Sequence, residues 1–408
     1  MKVLIVSQYF WPENFRINDL SSALVERGHK VTVLTGLPNY PDGRIFPGYK
    51  IWKRGGEQHR GVKIYRVPLS PRGDGGGIRL FFNYISFVLS ASILGPLLCR
   101  GRYDCILVYE PSPVTIGLPA IVMKQVNRAP ILFWVQDLWP ETLAATGAVR
   151  SKPALRIVGK LVQYIYQRCD LILVQSRAFT PSIQKFGICR ERIAYFPNSA
   201  ESFYRPVTTE TADRLAAKLR DGFRIMFAGN IGVAQDFETI LDAVDILKND
   251  MEIQWVILGD GRMRRWVEYE IERRGLGNNI QLLGRYPAEE MPKFFSHADA
   301  LLVTLKKDPI FALTIPAKVQ SYLACAKPII AAIDGEGATI INEAAAGLVS
   351  PSENPFELAA IVKKMYRMPK IAREQMGISG RKYFEEHFEP KMLADRFETF
   401  VDEISGGK

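Results

Sequence analysis

The chain has 408 residues, 47% of them hydrophobic and 24% charged, with a formal net charge of +10. This length allows two or three domains with proper cores, and the ordinary composition excludes a disordered, fibrous or low-complexity protein. Charge is uneven: residues 1–200 hold 26 Lys and Arg against 12 Asp and Glu, a net +14, whereas the remainder carries −4. A basic front body and a mildly acidic rear body call for different partners. The basic one suits nucleic acid, an anionic membrane surface or a phosphate-bearing substrate. Nucleic acid ranks last, because there is no zinc finger, RNP-like aromatic strand or basic recognition helix. The cysteines (Cys99, Cys105, Cys169, Cys189 and Cys325) are odd in number and lack metal-type spacing, which suggests a reduced, cytosolic chain without structural zinc. The apolar run Lys2-Val3-Leu4-Ile5-Val6 is too short for a signal peptide and reads as a first strand.

A buried strand is predicted over residues 3–8, followed by the loop Tyr9-Phe10-Trp11-Pro12-Glu13-Asn14, which Pro12 keeps from being helical. A helix runs to about residue 27, with Ile17, Leu20 and Leu24 on its apolar side and Gly28 as its stop. With a second strand over 31–35 this makes a βαβ unit, the seed of a parallel sheet. Arg16 opens that helix, where a cation opposes the dipole; it reads as a solvated arginine or a ligand-facing one. Residues 36–75 are rich in Gly, Pro, Tyr and Arg, with a short strand near 62–67, and Pro38-Asn39-Tyr40-Pro41-Asp42-Gly43 is a turn-rich excursion that can shape a pocket.

Residues 80–98 carry no charge between Arg79 and Arg100, which touches the lower limit for a membrane span. A span would tear this stretch from the strand at 105–109, and Asn83, Gly95 and Pro96 weaken it. It reads as a buried or surface-dipping helix, whose Phe81, Phe82, Tyr84 and Phe87 suit contact with lipid on one face. Glu110-Pro111-Ser112-Pro113 and Gln136-Asp137-Leu138-Trp139-Pro140-Glu141 follow two strands, the second over 131–135. Both carboxylates thus lie just past the carboxyl ends of buried strands, where α/β sheets place their ligands. Asp137 is the stronger candidate for chemistry, the alternative being a helix cap. Residues 152–169 form an amphipathic helix whose Lys152, Arg156, Lys160 and Arg168 are either a solvated face or a second lipid contact. Strands at 171–175 and 193–196, then Pro197-Asn198-Ser199-Ala200, close the first body.

The pattern then restarts. A strand over 224–228 leads into Gly229-Asn230-Ile231-Gly232 and a helix over about 236–248, and a strand over 253–258 leads into Gly259-Asp260-Gly261 and a helix to 275. Such glycines let backbone amides approach a phosphate or base, although neither turn is a full G-x-G-x-x-G or a P-loop. Strands at 280–283, with Gly284-Arg285-Tyr286 after it, and at 300–304 precede the stretch 308–332. That stretch reads as a loop, a helix capped by Thr314 with Pro316 in its first turn, and a buried strand over 329–333. Val319, Tyr322 and Leu323 give the helix a core side; Lys318 and Ser321 share another face. A lysine in the first turn is unfavourable to an isolated helix, but an anion at that end reverses the sign, so the helix start reads as a phosphate seat. Four strand exits with Gly, polar or basic residues on one rim, Lys306 and Arg285 among them, jointly suit a nucleotide-sized ligand. The last helix, over about 390–404, is amphipathic through Met392, Leu393, Phe397 and Val401 and can pack back across the first body.

Several of these motifs belong together: Arg27-Gly28-His29-Lys30-Val31, Pro197-Asn198, Phe227-Ala228-Gly229-Asn230-Ile231-Gly232, Gly259-Asp260-Gly261, and Pro316-Ala317-Lys318 through Tyr322-Leu323-Ala324 to Lys327-Pro328. With them the chain resembles, nearly end to end, the GT-B glycosyltransferases of the large retaining family four. The 136–141 motif and the 229–235 loop are most similar to a bacterial subgroup that builds colanic acid and O-antigen with fucose or N-acetylfucosamine-type sugars. The resemblance implies an α/β fold of two Rossmann-like domains whose parallel sheets face across a cleft. Residues 1–198 would hold the acceptor, 199–387 the nucleotide sugar, and 388–408 would return as a helix to the first domain. It further implies retention of anomeric configuration, no obligatory metal and no cofactor beyond the nucleotide-sugar co-substrate, with UDP expected and GDP the alternative. The implied partners are a lipid-linked saccharide of the undecaprenyl-pyrophosphate type and the anionic inner surface of the cell membrane.

Carried onto this sequence, the donor-binding residues are Gly229, Asn230, Gly232, Gln235, Gly259, Asp260, Gly261, Arg285, Tyr286, Lys306, Pro316, Lys318 and Ser321. The acceptor side falls to Glu13, Asn14, Arg16, Asn39 and Tyr40. The chain departs from the family at two places. Asn230 and Gln235 stand where many members carry Arg and Lys, and Ser321 stands where many carry a ribose-binding glutamate. The diphosphate charge is therefore expected to fall to Lys318, assisted by Arg16, Lys306 and the Gly232 amides, and the ribose to Ser321 or Gln320. Catalysis should rest on donors preplaced for the leaving diphosphate, with Asp137, and secondarily Glu110, orienting hydroxyls or relieving the attacking one of its proton. Two rivals remain: a nucleotide-sugar epimerase on the same fold, and a non-catalytic membrane-bound partner. Fold alone does not separate them.

Overall fold

A computed structural model describes residues 1–49, 56–208 and 217–406. Contacts divide the chain into two units, Met1–Pro197 with Pro390–Lys408, and Asn198–Glu389.

In the first unit, strands β1 (Lys2–Val6), β2 (Lys30–Gly36), β3 (Glu57–His59), β4 (Val62–Val67), β5 (Cys105–Glu110), β6 (Ile131–Val135), β7 (Leu171–Val174) and β8 (Ile193–Tyr195) form one sheet, ordered β3-β4-β2-β1-β5-β6-β7-β8. It is parallel except for β3, which pairs antiparallel with β4 and has no apolar period by which to recognise it. β5, β6 and β7 are buried at every residue, hence their unbroken apolar runs. β1 lies between β2 and β5, so the strand order reverses there and the loops after β1 and β5 open at a topological switch point.

Helix α1 (Ile17–Glu26) covers one face of this sheet together with the C-terminal helix Pro390–Gly406: Ile17, Leu20 and Leu24 share a core with Leu393, Ala394, Phe397 and Val401. Arg27 and His29 clamp that helix from outside. Both Arg27 Nε and His29 Nε2 lie 2.6 Å from Glu398 Oε1, and Arg27 also pairs with Asp395. Helix α2 (Gly77–Leu98) packs on α3 (Gly117–Asn127), β2 and β4. Its Phe87, Val88, Ala91 and Gly95 are buried, and a side chain at Gly95 would meet Leu34 and Met123. The opposite face of α2 leaves Ile78, Phe81, Phe82, Leu89, Ile93 and Leu97 exposed, and the helix is long and apolar enough to cross a membrane by length and composition. Helix α4 (Lys152–Arg168) buries Val162, Ile165 and Tyr166 and exposes Lys152, Arg156, Lys160 and Arg168.

The second unit is built on a six-stranded, all-parallel sheet of β9 (Phe223–Ala228), β10 (Ile253–Leu258), β11 (Ile280–Gly284), β12 (Ala300–Thr304), β13 (Ile329–Ala332) and β14 (Gly347–Ser350), ordered β11-β10-β9-β12-β13-β14. Its switch point lies between β9 and β12. Phe227, Trp255, Ile257, Leu302 and Ile330 share a core with Phe237, Ile240, Leu241 and Val244 of α5 (Phe237–Ile246). Helix α6 (Arg264–Arg274) follows β10, and α7 (Ala317–Ala324) follows β12. The last turn of α7 is held by α8 (Lys370–His387), whose Arg381 donates to the Ala324 carbonyl at 2.7 Å.

The start of α7 differs from the sequence reading. Thr314 does not cap it; the N-cap is Pro316, at ψ 130° and without a side-chain bond. Thr314 instead ends a short helix, Pro309–Leu313, in a stretch expected to be loop. Asp308 followed by Pro309 starts that helix, with Asp308 Oδ1 accepting the Ile310 N–H at 2.7 Å.

Candidate active site

In the second unit the turns after β9, β10 and β11 enclose a cavity of about 1130 Å³, lined by Gly229, Asn230, Gly259, Asp260, Gly261, Arg262, Arg285 and Tyr286, with Tyr204 and Met291 at its side. The glycine turns owe their composition first to each other. A Cβ on Gly259 would lie 1.8 Å from the Gly229 carbonyl oxygen, and Gly259 has φ +151°. Only glycine allows the two turns to touch so closely. Arg285 is exposed and Tyr286 half-buried, packed edge-on against Phe294 with its hydroxyl 3.2 Å from Lys218 Nζ.

Lys318 lies at the Gly229 end of this cavity. A Cβ on Gly229 would be 3.2 Å from Lys318 Nζ. That amine also lies 3.8 Å from the centre of the Phe227 ring and donates to Gln235 Oε1. Its enclosure by a ring, a glycine turn and a neutral amide lowers its pKa to about 7, because desolvation penalises the charged form. The residue as a whole keeps some exposure; the enclosure concerns the ammonium head. Ser321, one turn on, uses its hydroxyl within the helix, donating to the Ala317 carbonyl at 3.2 Å, and Gln320 Nε2 donates to the Asn198 carbonyl at 2.7 Å.

The first unit gathers its polar groups at the exits of β1, β5 and β6. Glu110, at the end of β5, is fully buried, and among the described residues its carboxyl is poorly paired: the Asp137 and Gln136 amides approach it without good hydrogen-bond geometry. Burial first and the charge of Asp137 second push its pKa well above the carboxylate range, and the amides of Asp137 and Gln136 offset this only in part. Asp137, just past β6, is pushed up to about 6 by burial. It is not a helix cap: the short helix Glu141–Ala145 has Pro140 at its N-cap. Arg16 precedes α1, and its charge and main-chain amide act on the buried Tyr109 hydroxyl.

Two residues expected at the acceptor bond within the loop. Glu13 Oε1 accepts the Asn39 and Tyr40 N–H groups at 2.8 Å each and Oε2 accepts that of Phe10 at 3.3 Å. Desolvation raises its pKa to about 7 despite these bonds. Asn39 is fully buried, with its amide donating to the Leu37 carbonyl at 2.9 Å. Asn14 and Tyr40 are exposed.

Two family models match the chain in succession: residues 14–199 match the "Glycosyl transferase 4-like domain", and residues 210–383 match "Glycosyl transferases group 1". The chain belongs to the family-four GT-B glycosyltransferases. Among relatives of this glycosyltransferase, a protein named for colanic acid biosynthesis in Escherichia coli, WcaI, is 25% identical over 340 residues, covering 79% of this chain and 81% of the relative. WbjE of Pseudomonas aeruginosa, named as a glycosyltransferase, is 26% identical over 313 residues, covering 75% and 76%. The fold is that of Anabaena HepE, solved in complex with UDP and glucose: TM-score 0.70 at 14% identity over 98% of this chain and 99% of that one.

Of the residues expected to bind donor, the cavity of the glycosyltransferase brings together Gly229, Asn230, Gly259, Asp260, Gly261, Arg285 and Tyr286. Gly232, Gln235, Pro316 and Lys318 lie on the adjoining β9 and α7 turns, with Gln235 and Lys318 in contact. Lys306 does not line the cavity; its main-chain N–H donates to the Ala234 carbonyl at 3.0 Å, and it lines a small recess with Asp308, Asp334 and Ser352. Arg262 and Tyr204 line the cavity although sequence reasoning passed over them. The Arg262 signal was available, as the first cation after Gly259-Asp260-Gly261; nothing marks Tyr204, which reaches the cavity from a segment before β9.

Proposed function

We propose that this glycosyltransferase moves a hexosyl or N-acetylaminosugar unit from a UDP-sugar to a lipid-linked saccharide of the undecaprenyl-pyrophosphate type. The reaction would retain the anomeric configuration and serve bacterial surface polysaccharide synthesis at the cytoplasmic face of the membrane. The observation that carries the donor half is Lys318, an amine enclosed beside a glycine-lined cavity with no counter-ion among the described residues, which gains most when a diphosphate enters. UDP is supported by the ligand named for HepE, and polysaccharide synthesis by the name of WcaI. The apolar outer face of α2, with Arg79 and Arg100 at its ends, supports peripheral attachment to an anionic membrane.

In this reaction the bond between C1 and the diphosphate oxygen breaks, the acceptor oxygen bonds to C1 on the same face, and the hydroxyl proton leaves with the departing diphosphate. Lys318 and the first amides of α7 stabilise the charge that develops on the leaving group, without need of a metal in this scheme. Asp137 holds substrate hydroxyls or receives the proton in passing. Glu110 is sealed from solvent and acts as a neutral carboxyl behind Asp137.

Radiolabelled UDP- and GDP-sugars, incubated with and without a lipid-pyrophosphate acceptor, test the reading. Label should pass to lipid from a UDP-sugar only, and the product anomer should match the donor. Isomerised donor without acceptor would establish an epimerase instead. Removing one preplaced donor of this type typically lowers the rate by about a hundredfold, so Lys318→Ala turning over within a few-fold of the parent would reject the phosphate role.

A further inference from the structure

Around Tyr40 the first unit assembles groups that the chemistry at Asp137 does not use. The Arg72 guanidinium carbon lies 4.9 Å from the centre of the Tyr40 ring, and no carboxylate pairs with it among the described residues. The Tyr40 ring lies 5.8 Å from that of Tyr9, whose hydroxyl is buried and has no hydrogen-bond partner among the described residues. A buried hydroxyl left unpaired is destabilising, and a ligand that accepts from it would account for its retention. Burial raises the Tyr9 phenol well above its ordinary range, so it is a donor at neutral pH, while Arg72 pulls it the other way.

These groups are tied to the head of α2. Asn83 is a fully buried amide on a mostly apolar helix; it accepts from Gln8 Nε2 at 2.7 Å and donates to the Ser70 carbonyl at 2.6 Å and to Asn39 Oδ1 at 3.4 Å. Asn39 Oδ1 also accepts the main-chain N–H of Arg72 at 3.1 Å. One network therefore fixes both Arg72 and the end of α2 where Ile78 (76% exposed), Phe81 (59%) and Phe82 (58%) begin the exposed apolar stripe. A guanidinium without a counter-ion and a phenol without an acceptor among the described residues, beside an apolar track, match one kind of ligand: a phosphoryl group at the head of a hydrocarbon chain.

We propose that Arg72 and Tyr9 bind the phosphoryl group of the acceptor's lipid carrier, and that the stripe beginning at Ile78, Phe81 and Phe82 takes the carrier's first isoprenoid units. This rests on the lipid-linked acceptor proposed above. It makes the carrier, and not only the saccharide, a recognised part of the substrate.

The test uses the full chain and two acceptors: the saccharide on a polyprenyl pyrophosphate, and the same saccharide as a phosphate-free glycoside of a hydrophobic alcohol. Tyr9→Phe removes only a hydroxyl that has no partner among the described residues, so its melting temperature should equal or exceed the parent's. Its KM for the pyrophosphate acceptor should rise about tenfold with kcat within about twofold, while KM for the donor and for the phosphate-free glycoside stay unchanged. Arg72→Ala should raise the same KM about tenfold to a hundredfold, with partial recovery in Arg72→Lys. Both variants should float with acceptor-free phosphatidylglycerol vesicles as the parent does. Unchanged KM values in an enzyme that requires the pyrophosphate overturn the assignment and leave the lipid-linked reading standing. A parent that uses the phosphate-free glycoside equally well rejects the lipid-linked reading itself, and the assignment with it. Loss of vesicle binding in step with the rise in KM also overturns the assignment, since the site would then bind bilayer headgroups.

Discussion

In the donor role proposed for it, Lys318 illustrates how a group is kept ready at a cost to stability. Its folded pKa of about 7 lies below the unfolded value of 10.5, so the unfolded chain binds more protons between those values and the burden on the fold is heaviest at low pH. Above about pH 7 most of the free protein holds the amine neutral, and a diphosphate should draw a proton onto it. Calorimetry of UDP binding at about pH 8, in buffers of different ionisation enthalpy, should register uptake of up to one proton, with affinity falling as pH rises. Lys318→Met should abolish the uptake. Asp137 has the opposite chemistry and a similar cost. Its folded pKa of about 6 exceeds the unfolded 3.8, so its contribution to stability is fully present below 3.8 and is lost as pH rises through 6. Asp137→Asn should therefore stabilise the protein by about 1–2 kcal/mol in thermal melts above that pH, while lowering kcat by about a hundredfold or more. The sequence made Lys318 and Asp137 conspicuous, because one opposes a helix dipole and the other follows a buried strand. It concealed that Glu13, Asn39 and Ser321 bond to their own backbone surroundings, since such partners are brought together only by tertiary folding.

At the scale of elements, the C-terminal helix depends on one edge of α1. Glu398 is held down to about 2, first by its hydrogen bond to Arg27 and then by that to His29, burial opposing both. A carboxylate depressed from 4.5 to about 2 contributes stability that is present above 4.5 and lost as pH falls through 2. Glu398→Ala should lower the melting temperature by about 2–4 °C at neutral pH, and the gap between variant and parent should close as the pH falls through that window. The central strands were legible, because runs such as residues 105–109 and 131–135 are apolar at every position and bounded by turns. The errors fell on short elements. β3 has no period to detect, and the helix Pro309–Leu313 starts on an Asp-Pro signal that a reading centred on Thr314 overlooked. The Arg27-Gly28-His29 motif that helped to identify the family turns out to fasten the last helix, which no local pattern could reveal across more than 360 intervening residues.

Over the whole molecule, the charge asymmetry read from the sequence belongs mainly to the unit that carries α2 and α4. Attachment to anionic vesicles should therefore be salt-sensitive and should reside in the first unit, with α2 supplying an apolar component that salt does not screen. Flotation of the parent at rising ionic strength should show partial release, and Phe81→Ser combined with Phe82→Ser should make that release complete.

The return of the C-terminal helix to the first unit also has a consequence during synthesis. The second unit, Asn198–Glu389, is continuous in the chain and can close as soon as it leaves the ribosome. The first unit is translated earlier but completed later, because Ile17, Leu20 and Leu24 of α1 wait for Phe397 and Val401 to cover them. For the time it takes to make the whole second unit, an apolar groove on the nascent first unit is open to chaperones and to other chains. A stall or nonsense codon just after Glu389 would release a product with one finished unit and one uncovered core. Limited proteolysis of such a truncated chain should leave a resistant fragment from the second unit and digest the first.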